Sequence, residues 1–301
     1  MNKNNNRSLL NRAKRAFLYK FAWLFPDKTF LELLFPLMVG YKLDLKHPKT
    51  YNEKLQWLKL YNRRPEYIKM VDKVEAKKYV ASIIGEEHII PTLAVYDRAE
   101  DIDFDTLPNQ FVLKCTHDSG GIVICSDKSK LNRESAIKKL KKGLARNYYY
   151  QNREWPYKGV KPRIIAEKYM TDDGNELSDY KFFCFDGEPK FMFIASDRFA
   201  KDEETKFDFY DMEFNHLPFT NGHPNATKEI QKPCGFDEMK ELAAKLSKDM
   251  PHVRVDFYDV NGHIYFGELT FFHWSGLVPF EPQEWDYKFG EMITLPSKAM
   301  Q

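Results

Sequence analysis

The sequence predicts a mixed α+β fold, with helices in the first third and antiparallel hairpins dominating the second half. Three observations lead there. Asp186-Gly187 and Asn261-Gly262 each separate two apolar, alternating runs, which is a tight-hairpin pattern. Before residue 85, apolar residues recur at helical spacing. Between these regions, Gln110-Phe-Val-Leu-Lys-Cys115 reads as a strand, followed by a glycine loop and a second extended run, Ile122-Val-Ile-Cys125.

Residues 1–25 carry Lys3, Arg7, Arg12, Lys14, Arg15 and Lys20 before any acidic residue. Leu9, Leu10, Ala13, Phe17, Phe21 and Leu24 follow a helical period, so a basic amphipathic helix is expected. Two readings stand: a helix docked on the domain with its basic face in water, or a peripheral membrane contact through residues 1–25. Further helices are predicted over 50–64, with Leu55, Leu58 and Leu60 inward, and over 69–84, stopped by Gly85. The segments 132–147 and 236–248 also read as helices, the first capped by Asn132. Strands are expected at 163–170, 179–185, 189–195, 253–258 and 264–269. The domain expectation is a helical segment (1–45), a region preceding the central domain (46–108), a glycine-loop subdomain (109–170) and a final subdomain with the last hairpin (171–301).

Of the 301 residues, 43% are hydrophobic and 30% charged, and 24 Phe with 17 Tyr supply surface for a substantial core. Net charge is +2, so no nucleic-acid partner is expected. The four cysteines are scattered without a CxxC pair, which favours reduced thiols and a cytoplasmic setting. No signal peptide is read. Residues 30–39, interrupted by Glu32 and Pro36, fall short of the about 20 apolar residues that a membrane span needs.

The last hairpin carries the densest chemistry. Val253, Val255 and Phe257 alternate with Arg254, Asp256 and Tyr258. A two-residue Asn261-Gly262 turn sets Asp256 and Glu268 on opposite faces. A three-residue loop, Val260-Asn261-Gly262, places Arg254 opposite Glu268 with Asp256 diagonal, and turns Tyr265 and Leu269 to the core; this register is preferred because it separates charged from apolar. Two carboxylates and a guanidinium on one face suit a hard cation with phosphates, or form a surface salt-bridge ladder. Lys114, on an apolar strand, needs an anionic partner. Ser119-Gly120-Gly121 offers backbone N–H groups but is no P-loop, since no Gly-Lys-Ser/Thr follows. Glu167-Lys168 ends one strand, and Asp179 and Lys181 begin another on one face.

In this order the motifs resemble those of the ATP-grasp superfamily: a helix led by Asp72-Lys73, the Lys114 strand with its glycine loop, Glu167-Lys168, then Arg254-x-Asp256 paired with a Glu268 strand. The spacing, with Asn52-Glu-Lys-Leu55 and Asp179-Tyr-Lys181, is similar to the teichuronopeptide-biosynthesis (TupA-like) branch over roughly residues 40–296. The resemblance implies an ATP-grasp fold, with the nucleotide held between two antiparallel-sheet α+β subdomains behind an N-terminal helical segment, and ATP and Mg²⁺ as cofactors. It implies Lys73 and Lys114 as phosphate contacts, Ser119, Gly120 and Gly121 as a lid, and Glu167, Lys168, Tyr169 and Met170 as the adenine-pocket segment. Asp179 and Lys181 stand beside the phosphates, with Lys181 and Arg254 as catalytic cations. Asp256 and Glu268 are implied as metal ligands, and Thr270 stands where many relatives carry a ligating Asn.

The implied reaction activates a carboxylate as an acyl phosphate and joins it to an amine, here an amino acid added to a cell-surface polysaccharide or its precursor. A glycosyltransferase is the alternative, with Asp101-x-Asp103 and Asp103-x-Asp105 fitting the spelling of a metal motif inside a loop-like stretch. A hydroxyl-directed kinase and a non-catalytic scaffold are also compatible with the nucleotide motifs. Tyr148 to Tyr150, Trp155, His273, Trp274 and Trp285 offer surfaces on which a glycan acceptor stacks, or serve as ordinary core.

Overall fold

The computed structural model describes residues 2–118, 120–171, 178–196, 204–227 and 230–297. Helices α1 (Asn2–Lys20), α2 (Asp27–Met38), α3 (Tyr51–Tyr61), α4 (Glu66–Val71) and α5 (Glu75–Ile84) lead the chain. Strands β1 (Thr92–Tyr96), β2 (Phe111–Cys115) and β3 (Ile122–Cys125) precede α6 (Arg133–Leu144), α7 (Tyr149–Asn152) and β4 (Ile164–Lys168). Then come β5 (Asp179–Phe185), β6 (Glu188–Ser196), β7 (Lys206–Asp211), β8 (His216–Leu217), α8 (Phe236–Ser247), β9 (His252–Val260), β10 (His263–Thr270) and α9 (Glu284–Glu291).

Two antiparallel sheets result, ordered β1-β4-β2-β3 and β10-β9-β5-β6-β7-β8. Leu113, Ala166 and Ile164 of the first pack with Ala136 and Leu140 of α6. The larger sheet shares one core with α8, α9 and the N-terminal helices. Tyr51 of α3 shows why: its ring is fully buried edge-on to Phe183, Phe280 and Phe289.

Asn52-Glu-Lys-Leu55 belongs to this core and lies outside the functional cleft. Thr50 caps α3 with a capping box to Glu53. The Asn52 amide and backbone N–H both donate to Asp286 of α9, at 2.9 and 3.0 Å. The motif locks the early helices to the last one.

Three expectations need correction. The 69–84 helix is two helices, because Asp72 turns extended and its Oδ1 accepts from the Val74 N–H, competing with the helical ladder. In the N-terminal segment, Leu18 and Ala22 are buried, whereas Leu9, Leu10, Phe17 and Leu24 stay exposed.

The third concerns the β9–β10 turn. It has two residues, with Asn261 and Gly262 both left-handed (φ 54° and 81°), so Val260 pairs with His263. The one-residue shift comes instead from a bulge at Gly267, between the Phe257–Phe266 and Asp256–Glu268 pairs. A Cβ at Gly267 would sit 3.1 Å from the Asp256 carbonyl oxygen. Glu268 therefore faces Asp256, and Thr270 faces Arg254. Ile264, Phe266 and Leu269 fill the core, and Tyr265 does not.

Asn52→Leu removes the side-chain amide donor from buried Asp286, whose carboxyl burial already pushes above its ordinary value, and keeps the backbone N–H bond. A loss of about 1–3 kcal/mol in unfolding free energy is expected from denaturant titration.

Candidate functional site

The two sheets face each other across a cleft. From the first side it is lined by Lys114, Gly120, Gly121 and Glu167, and from the second by Asp179, Lys181, Asp256 and Glu268. Lys73 and Lys77 close it from the α4–α5 break, and Met70, Val71, Ile122, Tyr157 and Leu269 supply apolar lining.

On the first side, Glu167 is the anionic partner that Lys114 requires: Lys114 Nζ lies 2.7 Å from Glu167 Oε2, and Lys77 pairs with Oε1. Burial alone would raise the Glu167 carboxyl, but the two ammoniums outweigh it and bring it down to about 2. Lys73 reaches the Asp118 carbonyl at 2.8 Å, and burial lowers its pKa despite Glu268, Glu167 and Asp118 nearby. Gly121 is required for close packing, since a Cβ there would lie 2.6 Å from Cys115 Sγ.

On the second side, Asp256 is the hub. Arg254 grips it with two bonds of 2.7 Å, and Lys181 donates to Oδ2 at 2.5 Å while standing 3.5 Å from Asp179. Burial would raise the Asp256 carboxyl; Arg254 and Lys181 hold it below its ordinary range. Arg254 also donates to Thr270 Oγ1 (2.9 Å), Glu268 Oε1 (3.2 Å) and His273 Nδ1 (2.7 Å). Burial first, and then Arg254, hold His273 neutral, so its Nδ1 accepts and its Nε2–H donates to Asn221.

His273 owes its position to a strained loop. Trp274 and Ser275 are both left-handed, at φ 48° and 56°. Fully buried Lys59 holds the Ser275 carbonyl at 2.7 Å, and Ser275 Oγ bonds Glu154. Burial draws the Lys59 pKa down to about 7, against the pull of Glu154.

Most predicted residues converge here: Lys73, Lys114, Gly120, Gly121, Glu167, Asp179, Lys181, Asp256 and Glu268 line one cleft. Arg254 and Thr270 adjoin it through Glu268. Exposed Lys168 and half-buried Tyr169 and Met170 are not among its lining residues, and Ser119 lies outside the described residues. Lys77, Asp118 and Tyr157 also line the cleft, and His273 backs Arg254. Lys77 was signalled by its spacing four residues beyond Lys73; His273, expected only as an aromatic surface, had no local signal for its bond to Arg254.

Of the suggested stacking aromatics, Tyr149, Trp155, His273 and Trp285 are core residues, while Trp274 (40% exposed) and Tyr150 (37%) reach solvent. Asp101, Asp103 and Asp105 are not among the cleft-lining residues either. Asp105 pairs with Arg133 at 2.6 Å, and Asp103 accepts from the Asp105 backbone.

A Mg²⁺ site was tested on the donors present. Among the described residues no group of three or more His, Cys, Asp or Glu forms a metal cage. Asp256 and Glu268 are cross-strand partners on the cleft face, and a few carboxylates combined with phosphate oxygens form a normal magnesium shell. Glu268, 47% exposed, is the freer donor, and both Asp256 oxygens already accept from Arg254 and Lys181, so the set would hold at most one ion, shared with a polyphosphate. Thr270 is a poor ligand here, its hydroxyl lying between Arg254 and Glu268.

Lys114 of one antiparallel sheet, Lys73 and Lys77 of the α4–α5 region, and Lys181, Asp256 and Glu268 of the other sheet meet in one cleft, the arrangement expected of an ATP-grasp protein. The chain belongs to the TupA-like ATP-grasp family, which matches residues 53–294. No curated protein matches the sequence. Among solved structures it is similar to D-alanine–D-alanine ligase from Bacillus anthracis complexed with ATP (17% identity, TM-score 0.39, 67% of this chain and 53% of that one). It is also similar to the Helicobacter pylori D-alanine–D-alanine ligase (12%, TM-score 0.42, 81% and 69%). A third is the ATP-grasp ligase PsnB with minimal precursor, Mg and ADP (11%, TM-score 0.40, 73% and 57%). The chain thus spans about half the length of the Bacillus anthracis enzyme.

Glu167→Gln tests the first side. The depressed carboxyl contributes stability that is fully present above its ordinary value of 4.5 and is lost as pH falls toward about 2. The variant is expected to be less stable at neutral pH by roughly 3 kcal/mol and to converge with wild type near pH 2, read by denaturant unfolding across pH.

Proposed function

We propose that the chain is an ATP- and Mg²⁺-dependent ligase that joins a carboxylate to an amine, adding amino acids to a cell-surface polysaccharide or its precursor. The observation that carries this reading is the gathering of Lys73, Lys114 and Lys181 with Asp256 and Glu268 in one cleft. Bound ATP–Mg²⁺ supplies the phosphoryl group that turns a carboxylate into an acyl phosphate. The side chains position and neutralise charge.

Lys73 and Lys114 come from the first side and Lys181 from the second, so a polyphosphate between them meets cations on both flanks. Arg254, oriented by Asp256 and His273, presents its guanidinium at the Glu268 end, where negative charge develops on the activated carboxylate. No side-chain nucleophile is needed. The buried thiols are unsuited to that role: burial pushes Cys115 to about 11 and Cys184 to about 12.

The same reading places the chain in the cytoplasm, against the inner surface of the membrane. Four free cysteines and the acid-free basic start of the chain support this. Trp274, half exposed beside the Arg254–His273 pair, is the residue we assign to the glycan acceptor.

The decisive measurement is ADP release across a panel of amino acids, with and without uronic-acid oligosaccharides. Amino-acid-dependent release with an amide in the product is expected; release without amino-acid dependence, or a phosphorylated hydroxyl, overturns the reading. Glu268→Gln should lower Mg²⁺-dependent turnover by roughly a hundredfold or more with an unchanged melting temperature. Trp274→Ala should raise the KM for glycan and leave that for ATP unchanged; equal KM values remove Trp274 from the acceptor site.

A further inference from the structure

Helix α1 has two apolar faces, and the protein uses one. Leu18 and, just beyond the helix, Ala22 are buried, while Arg15 reaches Met38 and Tyr19 reaches Asn152. Leu9, Ala13 and Phe17 follow one another at four-residue spacing along a line turned about 100° from Leu18. Leu9 is 60% exposed and Phe17 54%. The turn into α2 adds Trp23 at 68% and Leu24 at 55%, and Leu33 of α2 is 45% exposed. Between the helices runs a groove of about 710 Å³ whose walls include Ala13, Phe17, Phe25, Leu33 and Leu37.

The charge around this face is mainly basic; Glu32, on the groove wall, lies 3.9 Å from Lys28. Six basic residues precede Asp27, the first acid of the chain. Asp27 is turned inward, bonded to Arg63, Arg153 and Tyr149. Arg12, Lys14 and Lys20 are exposed on α1 itself. An exposed apolar stripe is expensive in water and usually marks a contact surface. Here the occupant must tolerate apolar side chains and also neutralise a row of cations. A second copy through the same face meets the opposite requirement, since cations would face cations.

We propose that the outer face of α1, with Trp23, Leu24 and Leu33, docks the protein on an anionic lipid surface. The apolar residues enter the headgroup boundary while Arg12, Lys14 and Lys20 reach lipid phosphates, and Trp23 sits at the depth where aromatic rings are favoured. The helix lies in the interface plane; no helix of the described residues is long and apolar enough to cross a membrane. None of these residues lines the ion-bearing cleft; the proposal supplies the contact face for the membrane-side setting proposed above, and its failure leaves the ligase chemistry untouched.

Flotation of the full chain with phosphatidylcholine vesicles, with and without phosphatidylglycerol, tests it. Binding is expected only with phosphatidylglycerol and should weaken as salt rises. Phe17→Ser with Trp23→Ser should cut the bound fraction roughly tenfold, and so should Arg12→Ser with Lys14→Ser and Lys20→Ser, which leaves the apolar face intact. Both sets are exposed, so the melting temperature should not change. No binding to either vesicle, or binding indifferent to both variants, overturns the proposal. So does a wild-type dimer in sedimentation that the Phe17 and Trp23 changes convert to monomer, or a face that retains only acidic protein.

Discussion

The Asp256 carboxylate is the interaction on which the second half of the site depends. It is buried, and it is shared by a guanidinium from its own strand and an ammonium from the neighbouring one. A buried carboxylate with one partner removed costs far more than an exposed pair, so Arg254, Lys181 and Asp256 are bound to keep a common geometry. Direct pairing of Lys181 with Asp256 across β5 and β9 makes that geometry a consequence of sheet register. Arg254 is then aimed at Glu268, Thr270 and His273 together.

Departures from regular structure deliver the polar groups. The Asp72 break turns Lys73 out of the helical ladder and toward the Asp118 carbonyl. The Gly267 bulge brings Glu268 to the same face as Asp256. The left-handed pair Trp274–Ser275, held by Lys59 and Glu154, returns the chain so that His273 meets Arg254. At Trp274–Ser275 the bonds from Lys59 and Glu154 offset the strained dihedrals, and at Asp72 the side chain takes the place of a ladder acceptor.

Much of this was legible in the order of residues. The Asp186-Gly187 and Asn261-Gly262 turns, the Lys114 strand, the Asn132-capped helix and the cleft charges were readable because their signals are local: alternation, a capping side chain, an ion on an apolar strand. The hairpin illustrates the limit. The expected register put Asp256 and Glu268 on one face, as the structure does, but through a longer loop in place of the Gly267 bulge. Whether one extra residue sits in the turn or in the strand depends on Gly267 meeting the Asp256 carbonyl, a contact between residues eleven apart. Asn52-Glu-Lys-Leu55 shows a second limit: a segment that marks the family can serve the core alone.

By itself, the sequence determined the mixed α+β class, the charged residues on strand-like segments and the basic, amphipathic character of the first helix. These follow from composition and period, which act over a few residues. Only the tertiary structure decided which groups pair: Glu167 with both Lys77 and Lys114, His273 with Arg254, Asn52 with Asp286. It alone decided that α1 buries Leu18 and leaves Leu9 and Phe17 in solvent. A helical period specifies that an apolar face exists, but which face is covered depends on packing against α2 and α7, elements the period cannot see.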